Sequence, residues 1–374
     1  MGAAAGPPRE NCAKGVSGAG DPLAGADMPR DGRRLELDYL CVDSFLRDVV
    51  DARALATAFE LGLIERLSEG GRSTPDDLAR RVGVDGRGLR LLLDLLAANG
   101  VVEDREGEIE LSAGFSRALE YRDLLEAKLE FAHIAALDML DGFTHLVRSP
   151  DRFVRNSRIY RLFCYERALE SGPECQEVTR RWVRITTALT RYEAGVCIGR
   201  HDCSRYRRML DIGGNSGQFA LEMCRRNPAI HATVLDLPLV CQIGEAHVRH
   251  APEADRITFL KGNALTDTLP TGFDLVTFKS MLHDWPAEEM KRLMVQAARS
   301  LEPGGTLLIF ERGPLEIRER TLPYSMLPFL LFAHAFRSPD LYRDQMEEAG
   351  FRDIAIQRID LETPFFLVTG NKGP

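Results

Sequence analysis

Long hydrophobic runs are missing from this chain. A membrane-spanning helix needs about 18–20 consecutive apolar residues. The longest apolar run near the C-terminus, MLPFLLFAHAF (Met326–Phe336), is broken by Pro328 and His334. The first 33 residues are rich in Gly, Ala, Pro and charge and have no continuous apolar core, so they do not read as a secretory signal. They predict a disordered tail over residues 1–34. Cysteine is sparse as well: eight residues, none in a C-x-x-C pair. That excludes a disulfide scaffold and argues against a zinc site, and points to reduced thiols in a cytoplasmic protein. Basic charge is not in excess, with 48 Lys and Arg against 56 Asp and Glu for a net charge of −8. A nucleic-acid surface is therefore not the main business of the chain. The short basic clusters RRM (Arg207–Met209) and MCRR (Met223–Arg226) read as solvated helix ends or turns.

What is present is an ordinary globular balance, 44% hydrophobic and 28% charged, over a length of 374 residues that suggests two domains. Structure is expected to begin near Leu35. The stretch Phe45–Leu67 carries apolar residues at helical spacing with Gly62 as a break. A helix follows with Ser73 as its predicted N-cap and Pro75 in its first turn, then a leucine-rich helix closed by Asn99-Gly100. VVEDREGEIELS predicts a hairpin turning at Glu106-Gly107. Helix, turn, helix and β-ribbon is the layout of a winged helix. Such a unit can bind DNA, but the leucine-rich body of its second helix points to packing instead. Residues 35–200 are thus expected to form a helical, winged-helix domain.

From residue 201 the pattern changes to strands alternating with helices. That pattern predicts an α/β fold with a Rossmann-like, doubly wound, mostly parallel sheet over 201–374. The helix AEEMKRLMVQAARS is expected to end at Pro303-Gly304-Gly305, with a strand in TLLIFERG after it. Ligands in such sheets sit at the carboxyl ends of the strands. There MLDIGGNSGQFAL places Asp211 at a strand end and Gly213, Gly214 and Gly217 in the turn. Asp211 and Asn215 set oxygen acceptors where a dinucleotide site would hold a phosphate, and acceptors suit an ammonium better. This favours S-adenosyl-L-methionine, whose amino-acid end carries an amine. VLDLP places Asp236 and Leu237 at the next strand end, where an acid can accept both ribose hydroxyls. KGNAL places Asn263 and Ala264 at the third, where an adenine edge would lie. An N-cap and a turn residue are the plainer readings of Asp236 and Asn263.

Over residues ~45–370 the chain resembles the plant-type small-molecule O-methyltransferases and their bacterial natural-product relatives, the caffeate- and hydroxyindole-like enzymes. LDIGGNSGQFA, VLDLPLV, KGNAL, FKSMLHDWPAEE, LEPGGTLLIFER and MEEAGF carry the resemblance. The most specific feature is His283-Asp284-Trp285, preceded by Lys279. The resemblance implies a homodimer in which one subunit's N-terminal helices help cover the other's pocket. It also implies His283 as the general base, with Glu311 orienting it and Asp284 beside it. Lys279 joins the residues expected to bind the cofactor. An imidazole titrates near neutrality and can take the proton of a phenol or enol as the methyl is transferred.

One departure stands out. Where the family often carries a second glutamate, this chain has HAFRSPD, so Phe336 or a neighbour replaces it. Some relatives lack that glutamate, some transfer methyl to carbon, and some no longer transfer methyl groups. No metal ligands are expected, although His283, Asp284 and His334 together would be a metal-site alternative. Trp285, Ser280, Met281, Phe131, Met139 and Trp182 are candidates for the pocket wall.

Overall fold

The computed structural model describes residues 37–169, 172–315, 317 and 322–373. The expected tail, residues 1–34, lies outside them. The N-terminal part starts with a 3-10 turn, Asp38–Phe45, followed by α1 (Val49–Glu60) and α2 (Leu63–Gly70). Gly62 breaks the two helices in a left-handed conformation (φ 69°). Helix α3 (Pro75–Val82) is capped by Thr74 rather than Ser73: the Thr74 hydroxyl accepts from Asp77 N at 3.3 Å. With Pro75 as the first helical residue, Thr74 falls at the capping position. Ser73 instead pairs its backbone with Ile109, at 3.1 and 2.9 Å.

Helix α4 (Gly86–Ala98) buries Leu89, Leu92, Leu93 and Leu96, spaced three and four apart, so the leucine stripe faces the core. Strands β1 (Val102–Arg105) and β2 (Glu108–Leu111) form the hairpin, with Glu106 and Gly107 both at positive φ (58° and 87°). Two central residues at positive φ are what a type I′ turn requires.

Next come α5 (Ala113–Ala118), the long α6 (Arg122–Arg148), α7 (Pro150–Asn156), α8 (Arg158–Leu162) and α9 (Pro173–Arg200). Helices α6 and α9 pack on each other. Asp138 on α6 is buried, and its carboxylate accepts from Ser157 Oγ (2.5 Å), Arg158 N and Ile159 N (2.9 Å each). One buried acid thus caps the first turn of α8.

The second part alternates β3 (Arg208–Ile212), α10 (Gln218–Arg226), β4 (His231–Asp236), α11 (Pro238–Val248), β5 (Ile257–Lys261), β6 (Phe273–Lys279), α12 (Ala287–Ser300) and β7 (Leu301–Arg312). Then follow α13 (Leu327–Leu331), α14 (Pro339–Glu348), β8 (Phe351–Asp360) and β9 (Pro364–Lys372). The sheet order is β5-β4-β3-β6-β7-β9-β8, with β9 antiparallel to both β7 and β8. The order reverses at β3, so the crevice beyond β3 and β6 is where a ligand belongs.

Helix α12 ends at Ser300, before Pro303-Gly304-Gly305. That triplet lies inside β7 as a bulge. Phe273 pairs with Leu301 and Leu275 with Thr306, so the residues between are extra to the ladder. Gly304 takes φ 76°, which glycine adopts without the strain a side chain would bring.

Removing the Asp138 carboxylate leaves the buried Ile159 amide, the buried Ser157 hydroxyl and the half-buried Arg158 amide without their acceptor. Asp138→Ala is expected to lower unfolding free energy by about 3 kcal/mol in urea denaturation. A loss under about 1 kcal/mol would show that α8 is held by other contacts.

Candidate active site

The loop after β3 is shaped by close approach. Gly213 N donates to Leu235 O at 2.8 Å, tying the loop to the end of β4. A Cβ on Gly213 (φ 68°) would lie 2.8 Å from Met281 Cγ, and one on Gly214 would lie 2.6 Å from Asp211 Oδ2 and 2.8 Å from Val234 Cγ1. No side chain fits at either position without displacing the core beneath it. Gly217 supplies the turn into α10, at φ 75°.

Behind this loop Asp211 is buried, with Oδ1 accepting from Thr277 Oγ1 at 2.6 Å and Oδ2 without a partner. Burial pushes its carboxyl up to about 7. Asp236, at the end of β4, accepts from Asn215 N (2.8 Å) and Leu237 N (2.7 Å). Burial raises it to about 6, against the pull of those two amides. Asn263 folds its own turn, its Oδ1 accepting from Leu265 N at 3.0 Å. Lys279, last in β6, donates to Thr190 Oγ1 at 3.0 Å and to Glu193 Oε2.

Beyond β6, the His283 loop rests on one carboxylate. Glu311 accepts from Met281 N and Leu282 N, both at 2.7 Å, and stands 2.6 Å from His283 Nδ1. On the other side His283 Nε2 is 3.4 Å from Asp284 Oδ1, and Asp284 Oδ2 accepts from Tyr165 Oη at 2.5 Å. Burial works against the charged imidazolium. Glu311 and Asp284 outweigh it, and His283 is held above its ordinary 6.5. Burial likewise works against the Glu311 carboxylate, but His283 and the two amides hold it below 4.5. Burial raises Asp284, against His283 and the Tyr165 hydroxyl.

The segment standing where the second glutamate is expected acts on the same loop by other means. Phe336 sets its ring edge-on to His283, with centroids 5.3 Å apart. Arg337 donates to Leu282 O at 3.0 Å and to Trp285 O, gripping the backbone on both sides of His283-Asp284. His334 does not join them: its Nε2 lies 3.3 Å from Tyr160 Oη. Among the described residues no group of three His, Cys, Asp or Glu side chains is arranged to hold a metal ion.

These elements enclose a cavity of about 310 Å³. Gly213, Asp236, Leu237, Asn263, Ala264, Lys279, His283 and Asp284 line it, as do Asn215, Ser280, Met281 and Trp285. Asp211, Gly214, Gly217 and Glu311 stand behind that wall and shape it. Phe131 and Trp182 also face the cavity, whereas Met139 packs into the helical core.

Residues 152–352 match the O-methyltransferase domain, and residues 44–118 match the O-methyltransferase dimerisation domain. The chain belongs to the O-methyltransferase family. Its activity is S-adenosylmethionine-dependent methyl transfer. The methyltransferase is 27% identical over 270 residues to the 3-hydroxy-5-methyl-1-naphthoate 3-O-methyltransferase of Streptomyces sahachiroi, covering 69% of this chain and 73% of that one. It is 26% identical over 378 residues to the L-tyrosine C(3)-methyltransferase of Streptomyces lavendulae, covering 97% and 99%. Human N-acetylserotonin methyltransferase, solved in complex with S-adenosylmethionine, shares the fold at a TM-score of 0.69 and 22% identity, over 86% of this chain and 94% of that one.

The site fits this cofactor on its own chemistry. Asp211 keeps a buried, unpartnered oxygen beneath the loop. Side chains are excluded from Gly213 and Gly214, and Asp236 is a fixed acceptor on the cavity wall.

Three residues of the site carried no motif. Glu193 is one acid among several charges on α9, buried and paired with both Lys279 and Arg312. Arg312 follows Glu311 at the strand end, a position where charge could have drawn notice. Tyr165 gave no signal in the sequence.

The shifts on Glu311 and His283 have opposite signs, and so do their effects on stability. Glu311, held low, stabilises the fold above its unfolded value of about 4.5 and loses this as pH falls. His283, held high, stabilises below 6.5 and loses this as pH rises through its folded value. Their joint contribution is complete between those two values. Glu311→Gln keeps the shape and removes the charge. The His283 imidazole resonance in NMR is then expected to titrate at lower pH than in the wild type, and an unchanged midpoint would contradict this coupling.

Proposed function

We propose that the methyltransferase moves a methyl group from S-adenosyl-L-methionine to a hydroxyl of a small aromatic or polyenic natural product, with His283 as general base. The observation that carries this reading is the His283 ring on the cavity wall, with Nδ1 fixed by buried Glu311. When bound, S-adenosyl-L-methionine supplies a methyl already activated on a positively charged sulfonium. The protein has to orient the acceptor and take one proton. Glu311 fixes the proton on Nδ1 and leaves Nε2 to receive the hydroxyl proton. Glu311 and Asp284 then stabilise the imidazolium that forms. Asp236 would accept from the ribose hydroxyls, and Leu237, Asn263 and Ala264 would bound the adenine. Gly213, with Asp211, Gly214 and Gly217 behind it, would form the bed for the amino-acid end, with Lys279 beside it.

The dimerisation-domain match supports a homodimer built through residues 35–200, with 201–374 as the catalytic domain. Val49, Val50 and Leu91 in the matched segment, and Leu140, Phe143 and Val147 along α6, are exposed apolar side chains of the kind a second subunit would cover.

A second reading is methyl transfer to carbon. Phe336 in place of a glutamate supports it, and so does the near full-length likeness to a protein named L-tyrosine C(3)-methyltransferase. His283→Ala separates the two once an acceptor is found. Hydroxyl transfer predicts a fall in kcat of about 10²- to 10⁴-fold. Little loss would favour a carbon acceptor that needs no base. For the wild type, kcat/KM should rise with pH along a limb centred above 6.5, because His283 must shed its resting proton. Calorimetric titration with S-adenosylhomocysteine, in chelator, is expected to give saturable binding near one per chain. No binding would overturn the reading.

A further inference from the structure

Glu311 and Arg312 are neighbours on β7, so their side chains leave opposite faces of the strand. Glu311 serves the His283 loop. Arg312 reaches the other way, towards α9, and also lines the cavity. Its guanidinium lies between two aromatic rings, 4.7 Å from the Phe329 centroid and 4.6 Å from that of Phe365. Nη1 donates to Ser280 Oγ at 3.3 Å and Nη2 to Glu193 Oε1, while Nε has no hydrogen-bond partner. The residue is only 6% exposed. A guanidinium carries five N–H donors. Here a buried, permanent cation meets Ser280 and Glu193 at its two terminal nitrogens, and its Nε–H is unmet. Native interiors seldom leave such donors unpaired, because each costs free energy.

Glu193 is shared between Arg312 and Lys279. With Lys128 paired to Asp43, three cations here share two directly paired acids. The remaining acid is Glu362, with Oε2 unpartnered, and burial pushes its carboxyl up towards the neutral form. Phe329 begins an aromatic surface that continues through Phe131 and Phe163 to Phe332. Arg312 stands at the Phe329 end of that surface.

We propose that Arg312 recognises a carboxylate on the aromatic acceptor, so that the substrate class is a hydroxylated aromatic acid. The inference rests on the methyl-transfer reading of the same cavity. It makes Arg312 a specificity-determining residue, with Glu193, Phe329 and Phe365 holding it in place. The cofactor's own carboxylate has the same chemistry, and the test separates the two sources.

Wild type, Arg312→Met and Arg312→Lys are titrated calorimetrically with 3-hydroxy-2-naphthoate and with 2-naphthol, each with S-adenosylhomocysteine present at saturation. The wild type is expected to bind the acid at least about tenfold more tightly than the naphthol. Arg312→Met should abolish that preference while leaving S-adenosylhomocysteine affinity within about twofold. Arg312→Lys keeps the charge and loses the planar fork, and should cut the preference at least about threefold. It keeps the test alive should the methionine variant fail to fold. No preference in the wild type, including binding of neither probe, overturns the proposal, as does an unchanged preference in either variant. If Arg312→Met instead weakens S-adenosylhomocysteine about tenfold, the guanidinium belongs to the cofactor carboxylate and the proposal fails while the methyl-transfer reading stands. Failure of the wild type to bind S-adenosylhomocysteine would strike that reading separately.

Discussion

The buried carboxylate of Glu311 holds the His283 end of this site together. One oxygen accepts two consecutive backbone amides, Met281 and Leu282, and the other meets His283 Nδ1. A fully buried carboxylate persists in its charged form only when compensated. Here the amides of the loop and the imidazole provide that compensation together. The charge, the loop conformation and the orientation of the imidazole are therefore interdependent. Phe336 and Arg337 support the same loop, one by covering the ring and the other by binding two carbonyls. A cation on the backbone and an aromatic edge thus stand where a second carboxylate would have added charge. Beside Nε2 the flanking acid is Asp284, itself bound by Tyr165.

A second cluster joins the helices to the sheet. Glu193, deep on α9, pairs with Lys279 from the end of β6 and Arg312 from the end of β7. Ion pairs this buried gain little net stability over apolar packing, because desolvation offsets much of the attraction. Their consequence here is positional. They fix two cations at the boundary between the glycine loop and the aromatic wall. The same helix brings Thr190 to Lys279, Thr186 to Asn215 and Thr187 to Ser216, so α9 is tied to the glycine-loop side of the cavity by side-chain hydrogen bonds.

Local chemistry made much of this legible in the sequence. Alternation of strands and helices, the glycines after β3 and the acids at strand ends are short-range signals that name their own geometry. The Asn99-Gly100 helix end and the Glu106-Gly107 turn were legible for the same reason, since positive φ favours few residues. Ser73 and the Pro303-Gly304-Gly305 triplet show where such signals fail. Both local readings are sound, but Ser73 is taken up by backbone pairing with Ile109, and the triplet is absorbed as a bulge once β7 aligns with β6.

By itself, the sequence determined the fold class, the family and the cavity-lining positions from Gly213 to Asp284, because each lies in or beside a motif whose spacing is set by a strand and its turn. Only the tertiary structure decided that Asp211 stands behind the wall, that His334 turns to Tyr160, and that Glu193, Arg312 and Tyr165 belong to the site. Those residues meet across separations of 119 positions for Glu193 and Arg312 and for Tyr165 and Asp284. The physical reason is that a buried charge is stable only where a partner from another element arrives, and that arrival is a property of packing, to which local spacing is blind.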